Sequence, residues 1–69
     1  MTMCTQLSNR EIDIIKLLAD GKTYKETAQI LGLSSKTVDC YSQRIKLKTQ
    51  CYSLALLVRF AIRNGLAEL

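Results

Sequence analysis

Apolar residues recur along this chain at spacings of three and four, in four stretches separated by glycine or by short polar runs. That is the period of helices with a single buried stripe. The first stretch holds Ile12, Ile15, Leu18 and Ala19. Ser8 followed by Glu11 opens it as a capping box, in which hydroxyl and carboxylate each accept a first-turn N–H. Gly21 closes it, and the pattern predicts a helix over about residues 9–20. Thr23 with Glu26 repeats the box, and Ala28, Ile30 and Leu31 form a short buried face before Gly32, which predicts a second helix over 24–31. In the tetrad Gly32-Leu33-Ser34-Ser35 a glycine free to take positive φ is followed by an apolar plug and two hydroxyls, either of which can cap the next helix. A third helix over about 35–49 turns Val38, Tyr41 or Ser42, Ile45 and Thr49 inward, and its outer face carries Lys36, Asp39, Cys40, Gln43, Arg44, Lys46 and Leu47. After the polar interval at 50–53, a fourth helix over 54–64 offers Leu54, Leu57, Val58, Ala61 and Ile62 to the core and ends at Asn64-Gly65.

The expectation is therefore an all-α, four-helix domain. Length agrees, because 69 residues leave room for one core. The domain is placed at 7–69, with 1–6 as a disordered N-terminal segment. A chain this short buries only roughly 60% of its unfolded surface, so its stability is marginal unless a partner or a staple adds to it. Three cysteines, Cys4, Cys40 and Cys51, form no CxxC pair, and histidine is absent, which argues against a zinc site. The odd count also points to a reducing compartment and a cytoplasmic location. No apolar run reaches membrane-spanning length, and Met1 to Gln6 lack the layout of a signal peptide. Enzymatic chemistry is not expected: there is no histidine base, the six acidic residues are spread along the chain, and no glycine-rich loop cradles a phosphate or asks for a cofactor.

Charge changes the picture by its placement. The formal net charge is +4, and Lys36, Arg44, Lys46 and Lys48 stand against the single Asp39 on the third helix. A short helix, a glycine-containing turn and a longer basic helix form the arrangement of a helix-turn-helix, whose second helix enters the major groove of double-stranded DNA. Thr23, Tyr24 and Lys25 at the start of helix two add hydroxyl and ammonium donors and a helix N-terminus for a phosphate. Ala55, Leu56 and Phe60 on helix four are apolar residues surplus to the core, and such surplus calls for a partner.

Three runs carry a resemblance: Leu7-Ser8-Asn9-Arg10-Glu11; Leu18 to Ala28; and Leu31-Gly32-Leu33-Ser34-Ser35-Lys36-Thr37-Val38, continued by Ile45, Lys48 and Leu57 to Leu66. Together they resemble the LuxR-type (GerE/FixJ/NarL) output domains over nearly the whole chain. The resemblance implies a four-helix fold, helix three as recognition helix, helix four as a homodimer contact, and a role in bacterial transcription control, with RNA polymerase as a further partner. Carried over by position, Asp39, Cys40 and Gln43 align with base-reading positions. Lys36, Thr37, Arg44 and Lys48 align with backbone-contacting ones, flanked by Thr23, Tyr24 and Lys25, with Lys46 added by its charge. Leu56 and Phe60, with Arg59 and Arg63 at the rim, are the expected dimer contacts. Tyr41 is read as packed, and Cys40 as an inert thiol. The chain departs from the family pattern at Asp39, where lysine is usual, at Tyr41 in place of histidine, and at Thr49-Gln50 in place of Leu-Gly. Asp39 keeps a second function in view: an interaction module, weakened for DNA, that heterodimerises with and titrates a full-length regulator.

Overall fold

The computed structural model of the chain describes residues 7–67; the segment expected to be disordered, 1–6, lies outside the described residues. Four helices occur in order, α1 (Asn9–Ala19), α2 (Tyr24–Leu31), α3 (Ser35–Thr49) and α4 (Leu54–Arg63). The predicted ends hold except that α1 and α4 each stop one residue early.

Local chemistry accounts for the starts. Ser8 and Thr23 form complete capping boxes with Glu11 and Glu26, while Ser34 and Ser53 cap α3 and α4 by accepting from the backbone N–H of Thr37 and Leu56. Of the two serines available to cap α3, the structure uses Ser34. Gly32 ends α2 in the left-handed conformation at φ 70, and the N–H of Leu33 donates to the carbonyl of Ala28 at 2.8 Å. This closes the turn in the three residues between α2 and α3, which places the two helices as a helix-turn-helix.

The core is built from Leu7, Ile14, Ile15, Leu18, Ala28, Val38, Ile45, Leu57 and Ala61, all buried. Helix α1 runs through its middle and packs against the other three helices, while α2 packs on α3 and α4 lies chiefly on α1. Two residues expected inside are outside. Ile30 is 56% exposed, because it stands about 200° around α2 from Ala28; Thr27 and Ala28 take the inward positions. Leu54 is 59% exposed in the first turn of α4, where Leu57 and Ala61 fill the interface with α1. Ile14 is buried completely although the spacing singled out its neighbours Ile12 and Ile15.

Candidate DNA interface

The orientation of α3 is set by what it buries. Val38, Ser42, Ile45 and Thr49 are inward, and their spacing of three and four fixes one side of the helix to the core. The opposite side is left open: Lys36, Asp39, Cys40, Gln43, Arg44 and Leu47 are all exposed. The structure thus brings the three base-reading candidates, Asp39, Cys40 and Gln43, to one face with Lys36 and Arg44 beside them. Chemically this face offers an acceptor-only carboxylate, an amide with both donor and acceptor, a thiol and two cations. Leu47, 71% exposed, extends it by one turn beyond Gln43. Its spacing from Gln43 was visible, but a lone leucine on a polar face gave no reason to assign it a role.

The flanking donors divide. Lys25 is exposed beside Thr23 at the start of α2. The Thr23 hydroxyl accepts from the N–H of Glu26, whose carboxylate in turn accepts from the N–H of Thr23 at 2.9 Å; that N–H, with the Thr23 hydroxyl beside it, holds the Glu26 carboxyl below the usual glutamate value. Thr37 is half-buried, with its hydroxyl and its N–H both bonded to the Ser34 hydroxyl. Arg44, itself exposed, lies over the ring of Tyr41 at 5.5 Å from its centroid, a cation–π contact. Tyr41 itself packs against the core, as read from its spacing.

Three of the expected contacts are otherwise engaged. The Tyr24 hydroxyl is hydrogen-bonded to the buried Ser42, so it ties α2 to α3 rather than facing solvent. The Lys48 ammonium donates to Glu11 at 2.8 Å across to α1. Burial pushes the Glu11 carboxyl up, and the Lys48 hydrogen bond, the Ser8 N–H and the Lys48 charge more than offset this, so its pKa lies below the usual glutamate value. Phe60 is half-buried against the core. Leu56 remains exposed on α4 with Arg59 and Arg63, and Tyr52 and Leu54 add exposed apolar surface at the same end of the helix.

Lys46 is half-buried and, with Lys22, Tyr24, Cys51, Tyr52 and Leu54, lines a cleft of about 380 Å³ between the start of α2, α3 and the start of α4. Cys51 is a free thiol, half-buried on that wall, and Cys40 is free and exposed. Among the described residues no cluster of His, Cys, Asp or Glu is arranged to hold a metal ion, and no helix is long and apolar enough to cross a membrane.

Residues 5–61 match the family described as bacterial regulatory proteins, luxR family. The chain belongs to the luxR family. This is a family of transcription regulators and not of enzymes, and the four helices of this chain form its all-α fold. A Pseudomonas aeruginosa protein bearing the name of a transcriptional regulator is 48% identical over 64 residues, which are 93% of this chain and 31% of that protein. The response regulatory protein YgeK of Escherichia coli is 44% identical, over 93% of this luxR-family chain and 44% of its own length. The DNA-binding transcriptional activator EvgA of Escherichia coli is 40% identical over 58 residues, 84% of this chain and 28% of that protein. The chain therefore spans less than half the length of these relatives. No solved structure matches it significantly.

Proposed function

We propose that this chain binds double-stranded DNA in the cytoplasm, with α3 in the major groove, and regulates transcription as a homodimer joined through α4. The observation that carries the reading is the exposed face of α3, where Asp39, Cys40 and Gln43 stand between Lys36 and Arg44 while the opposite face is locked into the core. A helix held on one side and polar and basic on the other suits the groove, since phosphate contacts set its register and base-edge contacts give sequence preference. The phosphate contacts assigned here are Lys36, Thr37, Arg44, Lys46, Thr23 and Lys25. Lys48 and Tyr24 are left out because Glu11 and Ser42 hold their polar ends. For the dimer, Leu56 with Arg59 and Arg63 is retained, and Phe60 is assigned to the core.

The luxR family membership and a relative named as a DNA-binding transcriptional activator support the same reading. A salt series of gel shifts with a promoter pool tests it. Specific retardation is expected, with log affinity falling by about 0.9 per neutralised phosphate for each unit of log salt. Absence of retardation at low salt would overturn the DNA reading and leave the titrating interaction module, whose check is co-purification with a full-length luxR-family regulator. RNA polymerase is a further partner of the proposed DNA-bound form.

A further inference from the structure

We infer that Asp39 is a specificity-determining residue which selects a C·G pair in each half-site, its carboxylate accepting a hydrogen bond from the cytosine N4 amino group. The inference rests on the proposed major-groove placement of α3 and names what that surface recognises. Asp39 is exposed in the second turn of α3, the part of a recognition helix that meets base edges. Lys36 precedes it by three residues and Gln43 comes four after it, so the three share a side of the helix. Lys36 stands at a spacing that permits an ion pair, yet among the described residues the single ion pair is Lys48 with Glu11. The Asp39 carboxylate is thus left for an outside donor.

An ionised carboxylate accepts and cannot donate. In the major groove guanine shows two acceptors, thymine an acceptor and a methyl group, and adenine an acceptor beside its donor, whereas cytosine shows its N4 amino donor without a competing acceptor. Guanine or thymine opposite Asp39 would face it with like dipoles, so discrimination comes from repulsion of the wrong base as well as attraction to the right one. The negative charge also repels phosphates, but that penalty falls on every sequence alike, while the gain falls only on sequences with cytosine. Lys36, Arg44 and Lys46 on the same helix offset the penalty. Specificity and affinity are therefore separable at this residue.

The test is selection of bound sequences from a random duplex pool with the full chain and with Asp39→Ala and Asp39→Asn, the variants' melting curves being matched to the parent's. The parent should select cytosine at one position per half-site by roughly tenfold or more over guanine. Asp39→Ala should lose the preference at that position, keep the rest of the consensus and bind other sequences more tightly. Asp39→Asn, with a donor and an acceptor, should move the preference there toward adenine. If Asp39→Ala returns the parent's consensus at every position with a uniform gain in affinity, the carboxylate only repels and this inference fails while the DNA reading stands. If the parent enriches no sequence, both fail.

Discussion

Glu11 serves two structures at once. One oxygen accepts the Ser8 N–H that opens α1 and also takes the Lys48 ammonium, both at 2.8 Å, in a side chain that is 1% exposed. A fully buried pair that loses one partner costs about 3–5 kcal/mol. The Lys48 side chain is 36% exposed, and screening there lowers the expected loss for Glu11→Gln to about 1–2 kcal/mol at neutral pH. The lowered carboxyl also sets a pH dependence. A folded-state pKa below the unfolded one gives stability that is complete above the ordinary glutamate range and is lost as pH falls through the folded value. Urea melts at pH 7 and at about pH 3 should show wild type losing more stability than Glu11→Gln; an equal loss would remove the pair from the account. Tyr24 makes a second case. Tyr24→Phe leaves the buried Ser42 hydroxyl without its partner and should cost about 1 kcal/mol, and a double-mutant cycle with Ser42→Ala should show coupling. Because that hydroxyl is engaged inside, Tyr24→Phe should leave the salt slope of DNA binding unchanged. The capping role of Glu11 was legible from the four residues Ser8 to Glu11. Its partner was not, since Lys48 lies 37 positions away and its charge reads equally well as a phosphate contact until α1 and α3 are seen to cross there.

At the level of the element, helix starts were legible because caps act within four residues, and helix faces were legible where several large apolar residues agree. They failed at Ile30 and Leu54, where one apolar residue in a short helix or a first turn competes with smaller neighbours such as Thr27 and Ala28 for the inward side. The end of α3 shows a subtler compensation. Thr49-Gln50 stands where the family pattern has Leu-Gly, yet Gln50 takes the left-handed conformation at φ 58 that glycine would adopt. Thr49, though polar, is buried. Its hydroxyl donates to the Ile45 carbonyl at 2.7 Å and accepts from the N–H of Cys51 at 3.3 Å, so it supplies with hydrogen bonds part of what an aliphatic side chain would supply by packing. Gln50 carries the remaining strain. A side chain in this region costs about 1–2 kcal/mol, and glycine recovers that less about 0.5–1 kcal/mol of added unfolded-state entropy. Gln50→Gly is therefore expected to raise stability by about 0.5–1 kcal/mol, measured by chemical denaturation. A loss would mean that the Gln50 side chain makes a contribution beyond its backbone conformation.

The whole molecule joins a small core to an exposed apolar end. Among the described residues nine apolar ones make up the buried core, and for a body of 32 × 23 × 20 Å that leaves stability near the margin. Tyr52, Leu54 and Leu56 meanwhile stay 61, 59 and 45% exposed around the start of α4. Apolar surface concentrated at one end of a helix favours association there, and a two-fold pair across α4 would present two α3 helices to half-sites about one helical turn apart. Leu56→Asp tests this because the residue lies outside the monomer's core, so the substitution should change monomer stability by no more than about 0.5 kcal/mol. It places a charge in the proposed interface, where a buried unpaired carboxylate costs several kcal/mol. Sedimentation equilibrium should then show the parent associating with rising concentration and Leu56→Asp remaining monomeric. The parent's melting temperature should rise with concentration and the variant's should not, since association stabilises the folded state by mass action. On DNA the two proteins should bind an isolated half-site equally, and only the parent should gain from a second half-site at the correct spacing. Equal gain by both would move the dimer contact away from α4, while weakened half-site binding by Leu56→Asp would mean that the α4 surface supports α3 directly.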